Sequence, residues 1–314
     1  MFKILASTDN LPYEDWLEYR RSGIGGSDVA VVCGISRYKS PVELWLDKTG
    51  QLPHDEAGEF AYWGQQLESL VKAEFTKRTG IEITPVNQIL QSEENPFMLA
   101  NLDGVCEHPD YGKCIFEAKT ASAYKLGEWE NDKMPDEYML QLQHYMAVTG
   151  LRGAYVAVLI GGNTFKWKFV ERDDELIAML IRLELDFWEC VRSNTPPPLD
   201  GSEASAKFLS ERFPDSVPKS TIALPEEAAD LIKQYDDLSE KIEHYSELKQ
   251  QAENLMKQML GDNEIGTVGD RVITWKSVNQ ERLDSKTLKA EHPQLYQKYS
   301  NKTSYRRFSV KAAI

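Results

Sequence analysis

Residues 100–120, ANLDGVCEHPDYGKCIFEAKT, contain the strand pattern that decides the fold. Side chains alternate across a strand, so Glu117 and Lys119 share one face of the predicted strand 114–120, and the apolar residues beside them share the other. Asp103 lies in a turn shortly before that strand. One face is therefore charged and the other can be buried, and the charged face is either only solvated or part of a site.

Helical and strand-like patterns alternate around this stretch. The run 134–150 predicts a helix that begins near Pro135 and stops at Gly150, and the glycines at 161–162 predict a hairpin between two apolar runs. Further helices are predicted from about Asp28, up to Gly50, over 60–80 and over 174–194, and further strands at about 83–90 and 98–102. Because strands and helices interleave, we expect an α/β domain over residues 1–198.

The pattern changes after this domain. Residues 199–224 follow a proline- and serine-rich boundary and are predicted to be a linker. In residues 225–260 apolar side chains recur every three or four positions without an internal Gly or Pro, which predicts one coiled-coil-like helix about 54 Å long. Its apolar stripe could pack on its own domain or on a partner helix. The C-terminal region, 225–314, would then consist of this helix and a small appendage with short strands at 265–278 and 304–311.

The net charge of −14 is unevenly distributed. Residues 266–314 contain ten Lys and Arg against four Asp and Glu, a net charge of +6, so the first 265 residues carry −20. Nucleic-acid phosphates are bound by Lys and Arg, so the acidic body argues against a nucleic-acid partner, whereas the basic tail could bind one. The basic residues that interleave with Trp275, Tyr305 and Phe308 are Arg271, Lys276, Lys302, Arg306, Arg307 and Lys311. This appendage could grip DNA or form a small unit packed on its own aromatic rings.

The sequence gives little support for a centre built from cysteine or histidine. Cys33, Cys106, Cys114 and Cys190 have no C-x-x-C spacing, and the five histidines are scattered. We therefore expect reduced thiols and no zinc site. No apolar run approaches the roughly 18 residues of a membrane span, and MFKILAST is too short for a signal peptide, so we expect a cytoplasmic protein without a membrane partner.

The charged face of the predicted strand has the residue types of a metal-dependent phosphodiesterase. Asp103 and Glu117 could supply the carboxylates that Mg²⁺ prefers, and the Ala118 carbonyl could add a third oxygen. Lys119 could hold the attacking water and meet developing negative charge. The alternative is a solvated face, because Asp-Gly is a common turn dipeptide and E-x-K is frequent on exposed strands.

Three further segments make the phosphodiesterase interpretation more specific. GIGGSD at 23–28, WGQQLES at 63–69 and YMLQLQHYMAVTG at 138–150 surround the Asp103 to Lys119 stretch. In this order the motifs resemble those of the YqaJ-type viral recombinases, a branch of the lambda-exonuclease-like PD-(D/E)XK nucleases. The resemblance covers about residues 17–187, and the C-terminal coil and appendage also resemble prophage members of that group. It implies a restriction-endonuclease-like PD-(D/E)XK core, in which helices flank a central mixed sheet.

The resemblance implies a role for each residue of the metal site. Asp103 and Glu117 match metal-binding carboxylates, and Lys119 matches the catalytic lysine. Gln141 matches an active-site glutamine that also contacts DNA. Glu68 matches a further acid at the metal, although its place away from the apolar stripe of its helix also suits a solvent-exposed glutamate.

The resemblance also implies a site for the 5′-phosphate of a DNA end. Arg20 and Ser27 match its contacts, with Arg21 as the alternative to Arg20. Glycines allow a tight turn, and Ser27 can cap a following helix whose free N–H groups suit an anion, although a glycine-rich turn is usually only a turn. Tyr138 and Tyr145 share a helix face with Gln141, which could border a DNA strand or be an ordinary amphipathic surface.

The activity that the resemblance implies is that of a Mg²⁺-dependent exonuclease, with Mn²⁺ as a substitute. It would degrade one strand of linear double-stranded DNA 5′ to 3′ and leave a 3′ single strand for phage-type recombination by annealing. A single-strand annealing recombinase as partner and a homo-oligomeric ring, expected to be a trimer, are also implied. Some related nucleases hold an iron–sulfur cluster, but the cysteines here lack clustered spacing, so we expect none. An endonuclease with the same core and a non-catalytic scaffold that binds DNA ends or recruits a recombinase stay open as alternatives.

Overall fold

The computed structural model describes residues 1–52, 58–301 and 304–311. The chain forms two compact units, Met1–Arg212 and Phe213–Ile314. Every residue that the sequence singled out for the candidate site lies in the first unit.

The first unit alternates helices and strands, as predicted. Its strands are β1 (Phe2–Ser7), β2 (Ile83–Thr84), β3 (Gln88–Ser92), β4 (Leu99–Asn101), β5 (Gly104–His108), β6 (Gly112–Ala121), β7 (Gly153–Ile160) and β8 (Thr164–Glu171). Its helices are α1 (Tyr13–Arg21), α2 (Gly26–Val32), α3 (Pro41–Lys48), α4 (Glu59–Thr79), α5 (Asp136–Thr149), α6 (Asp174–Arg192) and α7 (Glu203–Arg212), and a 3₁₀ helix spans Ala123–Trp129.

The central sheet has the strand order β2-β5-β6-β7-β8. Its neighbouring strands are antiparallel except for β6 and β7, which run parallel with Glu117 opposite Val156. A parallel pair needs a crossover connection, and this crossover contains α5. A smaller antiparallel sheet has the order β1-β3-β4. The predicted fold class is confirmed: helices flank a central mixed sheet, as expected of a restriction-endonuclease-like PD-(D/E)XK core.

The helix α5 begins and ends where the sequence predicted. Pro135 stands at its N-terminal cap, where a missing N–H removes no helical hydrogen bond. Gly150 ends the helix with a φ of 75°, a left-handed conformation that glycine adopts without strain. The buried residues of α5 include the polar side chains Gln141, Gln143 and His144. The helix therefore directs polar groups into the domain, which an ordinary amphipathic helix does not do.

The single strand predicted at about 83–90 is wrong, because this stretch forms two strands in different sheets. β2 pairs with β5 in the central sheet, whereas β3 pairs with β1 and β4. Pro85 lies between them and has no N–H to donate to a ladder, so the chain can leave one sheet there and enter the other.

Helices cover both faces of β6. On one face Phe75 of α4 packs against Phe116, with their ring centroids 4.8 Å apart. On the other face Leu142 and Met146 of α5 pack in the same buried cluster as Ile115. Burial of each such side chain contributes about 1.5–3 kcal/mol. The strand that carries Glu117 and Lys119 is therefore held from both sides.

The first unit extends into the segment predicted as a linker, 199–224. It includes α7, which packs against α3. Asp200 accepts hydrogen bonds of 2.6 Å from the hydroxyl groups of both Ser202 and Ser205 at the start of this helix. The domain boundary predicted at 198 thus precedes the last helix of the first unit.

The second unit contains the long helix that the sequence predicted. Its elements are α8 (Glu227–Leu260), β9 (Ile265–Val268), β10 (Arg271–Thr274), α9 (Ser285–Glu291) and α10 (Pro293–Tyr299). The strand predicted at 304–311 is wrong, because this segment pairs with no strand in the part of the chain that the structure describes. Trp275, Tyr305 and Phe308 are exposed, so the described residues do not pack on these rings as a small aromatic core. Lys302 lies outside the described residues.

Among the residues that the structure describes, no helix combines the length and the hydropathy that a membrane span requires.

Candidate active site

Two carboxylates meet at neighbouring strands of the central sheet. Asp103 lies between β4 and β5, and Glu117 lies in β6, which pairs with β5. The backbone N–H of Ala118 donates a hydrogen bond of 2.8 Å to Oδ2 of Asp103. The structure therefore brings together the two carboxylates that the sequence singled out.

Lys119 and Gln141 complete a closed set of hydrogen bonds around Glu117. Nζ of Lys119 donates to Oε1 of Glu117 at 2.7 Å and to Oε1 of Gln141 at 2.9 Å. Nε2 of Gln141 donates to the same Glu117 oxygen at 2.7 Å. Glu117 and Gln141 are buried and Lys119 is half-buried, so these charge-assisted bonds hold the three side chains in place.

The electrostatics of the site oppose ionisation of both carboxyl groups. Burial raises the pKa of Asp103 well above its ordinary value, and the charges of Glu117 and Glu68 add to the increase. Burial also raises the pKa of Glu117, although Lys119 and Gln141 oppose that change. Burial lowers the pKa of Lys119, but the charge of Glu117 more than offsets this, so the pKa is raised. The lysine therefore stays charged at neutral pH, and a cation would stabilise the ionised carboxylates.

The oxygens around Asp103 and Glu117 fit a hard divalent cation. Oε2 of Glu117 is buried and has no hydrogen-bond partner among the described residues. Such an oxygen costs free energy that a bound cation can offset. The Ala118 carbonyl lies in the same strand beside Glu117, and water or substrate oxygens would complete the shell, as is usual for Mg²⁺.

Glu68 does not join the two carboxylates in a ligand group. It lies in α4, and its Oε1 accepts a hydrogen bond from Lys72 of the same helix. Within residues 1–52, 58–301 and 304–311, no three His, Cys, Asp or Glu side chains are arranged to hold a metal ion. The charge of Glu68 still reaches the site, because it contributes to the raised pKa values of Asp103 and Glu117.

The glycine-rich turn brings Arg20 and Ser27 together. Nη2 of Arg20 donates a hydrogen bond of 3.1 Å to Oγ of Ser27, whereas Nε of Arg21 lies 3.9 Å from Asp47. The Arg20 guanidinium also lies 5.1 Å from the ring centroid of Trp16. The structure therefore places Arg20, and not Arg21, beside Ser27.

Gly26 lets the first turn of α2 approach α5 closely. A Cβ atom at this position would lie 2.5 Å from Cε1 of Tyr145 and 2.9 Å from Cγ of Gln141. Because no side chain fits in that space, the turn that holds Ser27 is in direct contact with the helix that carries the site glutamine.

Two buried ionic residues that the sequence analysis missed hold Arg20 in place. Asp28 accepts hydrogen bonds from Arg20 at 3.2 Å, from Lys48 at 2.7 Å and from the N–H of Gly25 at 3.0 Å. Lys48 also donates to the carbonyl oxygen of Arg20 at 2.6 Å. Burial raises the pKa of Asp28, but Lys48 and Arg20 more than offset it, so the pKa lies below its ordinary value. Asp28 belongs to the GIGGSD motif and could have been noticed, whereas no spacing in the sequence marks Lys48.

One cavity of about 220 Å³ joins the two groups of residues. Its lining includes Arg20 and Ser27 together with Asp103, Glu117 and Gln141. Larger depressions of about 600 and 640 Å³ lie along β5 and β8, and these residues do not line them. The smaller cavity therefore brings the glycine-rich turn and the carboxylates together along one surface.

The two tyrosines predicted on the Gln141 face have different surroundings. Nζ of Lys119 lies 5.0 Å from the ring centroid of Tyr138, which is half-buried. Tyr145 is buried and lines the cavity, and its hydroxyl oxygen accepts a hydrogen bond of 3.0 Å from Gln141. Asn101, at the end of β4, also lines the cavity and was not predicted.

The fold and the site define an α/β protein of the restriction-endonuclease-like PD-(D/E)XK class. A sequence model described as the YqaJ-like viral recombinase domain matches residues 15–152, which include every predicted site residue. The chain is 41% identical to the uncharacterized protein YqaJ of Bacillus subtilis (strain 168), over 98% of this chain and 97% of that protein. The chain therefore belongs to the YqaJ-like viral recombinase family, as its motifs predicted.

Other similarities are more distant. The uncharacterized protein R354 of Acanthamoeba polyphaga mimivirus is 26% identical over 43% of this chain and 26% of that protein. Among solved structures, an alkaline exonuclease (LHK-Exo) from Laribacter hongkongensis is 20% identical with a TM-score of 0.49, and the match covers 63% of this chain and 97% of that chain. Similarity at this level carries no argument about function.

Proposed function

We propose that this protein is a metal-dependent deoxyribonuclease that degrades one strand of linear double-stranded DNA from a 5′-phosphorylated end, 5′ to 3′. The 3′ single strand that remains would serve recombination by annealing. The observation that carries the proposal is the shared cavity, whose lining includes Arg20 and Ser27 as well as Asp103, Glu117 and Gln141. Membership of a viral recombinase family supports the role in recombination.

The carboxylates suit a divalent metal. Asp103 and Glu117 would hold Mg²⁺, or Mn²⁺ as a substitute, with the Ala118 carbonyl as a further oxygen. A divalent ion bound there supplies polarisation of the phosphate, a lower pKa for the attacking water and charge for the leaving oxygen. The buried Oε2 of Glu117, which has no partner among the described residues, is the oxygen best placed to need a cation.

Lys119 is suited to orient the attacking water. Its Nζ donates to both Glu117 and Gln141, which leaves one of its three N–H groups for a water or a phosphate oxygen. Because the pKa of Lys119 is raised, its ammonium group stays charged at neutral pH and can stabilise negative charge that develops on the phosphate. Gln141 keeps the lysine and Glu117 in fixed relative positions.

Arg20 and Ser27 are suited to a terminal phosphate. The guanidinium has donors beyond those used by Ser27 and Asp28, and the Ser27 hydroxyl can donate to an anion. A terminal phosphate in this turn would place the phosphodiester near the 5′ end of one strand beside the carboxylates. Circular DNA has no terminal phosphate to place there, and this favours an exonuclease over an endonuclease.

A homo-oligomeric ring, expected to be a trimer, a single-strand annealing recombinase as partner and a cytoplasmic location belong to the same proposal. The first 265 residues carry a net charge of −20, which repels DNA at long range. Retention on DNA would therefore need an enclosing ring or a basic surface. Exposed residues of the second unit such as Arg271, Lys276 and Arg306 could contribute such a surface. Analytical ultracentrifugation would measure the subunit number.

Digestion of linear and circular forms of one plasmid, with and without Mg²⁺, tests the proposed activity. We expect Mg²⁺-dependent loss of the linear form alone, faster from 5′-phosphate than from 5′-hydroxyl ends, with early release of a 5′ label. Cleavage of the circle would favour the endonuclease, and end binding without cleavage would favour the scaffold. Asp103→Asn protein, purified in parallel, controls for contaminating nuclease.

A further inference from the structure

A fully buried histidine next to the site does not line the cavity and has no part in the proposed chemistry. His144 and Glu184 are both fully buried, and Nδ1 of His144 lies 2.8 Å from Oε1 of Glu184. The other ring nitrogen, Nε2, lies 2.8 Å from the carbonyl oxygen of Leu99. A backbone carbonyl and an ionised carboxylate can only accept, so both contacts are hydrogen bonds when both ring nitrogens carry protons. The geometry fits an imidazolium–carboxylate pair.

The imidazole joins three elements that build the site. His144 lies in α5 one turn after Gln141, Glu184 lies in α6, and Leu99 lies in β4, the strand that leads to the carboxylate turn. The N–H of Leu99 also donates a hydrogen bond of 2.8 Å to the carbonyl oxygen of Ile24, within the glycine-rich turn. One side chain thus connects α5 with α6 and β4 and, through Leu99, with the glycine-rich turn.

We infer that protonated His144 is a positioning residue of this site. By donating hydrogen bonds to both Glu184 and the Leu99 carbonyl, it fixes α5 against β4 and so holds Gln141 within hydrogen-bond distance of Glu117. The effect on catalysis rests on the proposed function, whereas the charge state of the histidine does not. His144 does not line the cavity, so it acts through the elements that it joins.

The groups that face the ring favour its protonated form. Burial lowers the pKa of His144, but the charge and hydrogen bond of Glu184, the bond to Leu99 and the more distant charge of Asp28 in α2 raise it above its ordinary value. Oε2 of Glu184 has no hydrogen-bond partner among the described residues. The positive charge of His144 therefore compensates the buried negative charge of Glu184.

The other titratable groups near the ring do not take the place of Glu184 or of His144 in this ion pair. Burial raises the pKa of the Cys33 thiol to about 11, with a further contribution from Glu184, so the thiol stays neutral. Burial also raises the pKa of Tyr145, the neighbour of His144 in α5. Glu117 and Lys119 of β6 bond to Gln141 rather than to the ring, and β3 and β4, which also pack on α5, contain no titratable side chain.

The pair makes the site sensitive to alkaline pH. Because the pKa of His144 is raised in the folded protein, its stabilisation is fully present below the unfolded value of about 6.5 and is lost as pH rises through the folded value. A neutral ring can donate only one hydrogen bond, to Glu184 or to Leu99 but not to both. Above the folded pKa, one of the two hydrogen bonds by which His144 connects α5 to β4 and α6 would therefore be lost.

Nitrogen NMR of the full-length protein tests the charge state. We expect both ring nitrogens of His144 to be protonated at pH 7.5, with the resonances assigned by their loss in His144→Phe protein. Resonances of a neutral ring at that pH, which would include a state with the proton on Glu184, would overturn the inference.

Three variants separate positioning from packing. Glu184→Gln keeps the shape and a hydrogen-bond acceptor but removes the charge, so the alkaline limb of the kcat profile should move to lower pH by about 1–3 units. His144→Phe leaves Glu184 buried without its partner and should lower both Tm and kcat. His144→Phe/Glu184→Leu removes both members, so it should recover Tm while kcat stays about 10–100-fold low and KM changes little.

Two results would show that the pair only fills the core. One is recovery of kcat together with Tm in the double variant, and the other is an unchanged pH profile in Glu184→Gln protein, which does not depend on the double variant folding. If the wild-type protein cleaves no DNA, the proposed function fails, but NMR still decides the charge state. Mn²⁺ affinity measured without DNA then reports positioning, with about 10–100-fold weaker binding expected in the double variant and unchanged binding contradicting it.

Discussion

The backbone N–H of Ala118 donates a 2.8 Å hydrogen bond to the carboxylate of Asp103, fifteen positions earlier in the chain. This bond ties the turn before β5 to the strand that carries Glu117, so the two carboxyl groups share one buried environment. Burial and then the charge of Glu117 raise the pKa of Asp103. The same arrangement that suits metal chemistry therefore costs folding free energy in the metal-free protein.

Asp103→Asn should abolish DNA cleavage and raise the Tm of the metal-free protein by a few degrees. A carboxyl group whose pKa is raised in the folded state is ionised at a cost at neutral pH, and asparagine removes that charge while its carbonyl can still accept from Ala118. Mg²⁺ should raise the Tm of the wild-type protein but not of the variant. Calorimetry at pH 7.5 with and without Mg²⁺ measures both effects. A lower Tm for the metal-free variant would contradict this electrostatic account.

Metal binding should strengthen as pH rises through the titration of Asp103 and Glu117. Burial raises both pKa values, so protons compete with the metal at a pH above the ordinary carboxyl range of about 4. Titration calorimetry with Mn²⁺ in buffers of different ionisation enthalpy should detect proton release. Metal affinity that does not vary with pH would show that the carboxylates are already ionised without metal.

Glu68→Gln is the matched variant for this measurement. The charge of Glu68 contributes to the raised pKa values of Asp103 and Glu117. Its removal should therefore move the pH dependence of metal binding to lower pH, while metal binding itself persists. Loss of Mn²⁺ binding in this variant would instead show that Glu68 leaves Lys72 and joins the ligands, as the family resemblance implied.

Arg20→Ala and Ser27→Ala should reduce the preference for 5′-phosphorylated over 5′-hydroxyl ends more than they reduce cleavage itself. Loss of a charge-assisted contact to the phosphate costs about 1.5–3 kcal/mol, which is on the order of a ten- to hundredfold change in the ratio of kcat/KM values. Lys48→Met should lower the same ratio, because Lys48 holds Asp28 and the Arg20 carbonyl.

Lys39→Met is the control for the lysine variant, since Lys39 pairs with Asp47 in the same region but does not contact Arg20. It should leave the preference unchanged. Equal rates on both end types in the wild-type protein would remove the phosphate assignment.

A chain that ends at Arg212 should fold and cleave short DNA, whereas one that ends at Asn194 should have a lower Tm. The shorter chain lacks α7, whose Phe208 packs against the main buried cluster. On long DNA, the chain ending at Arg212 should resect shorter tracts or lose the annealing partner on co-purification. If it matches the full chain in resection length, salt sensitivity and partner binding, then the second unit has none of these roles.

The sequence predicted the residues that meet at the site better than the residues that hold them. Asp103, Glu117 and Lys119 follow from strand alternation and pairing, which are local rules visible in a single sequence. Lys48 resembles a surface lysine at the end of a helix, because lysine is rarely buried. Only the packing of α1, α2 and α3 around Asp28 explains its burial.

Errors arose where a distant contact or a missing one decides the structure. The single strand predicted at 83–90 instead divides between two sheets, because β3 pairs with strands far away in the sequence. The metal role predicted for Glu68 stays a prediction, although its oxygen accepts a hydrogen bond from Lys72 in this structure. In the second unit, residues 285–299 form two short helices that no periodicity predicted. The side chains of these two helices are exposed or only partly buried, so no periodic apolar pattern marks the helices in the sequence.

The parallel pairing of β6 and β7 sets the order in which the candidate site can assemble during synthesis. The β5–β6 hairpin that brings Asp103 and Glu117 together can form as soon as both strands have left the ribosome. Gln141 follows later, and β7 cannot pair with β6 until the whole α5 crossover has been translated. A nascent or prematurely terminated chain thus carries the acidic residues before the amide that joins Glu117 to Lys119, so the candidate site is complete only when the whole crossover has been made.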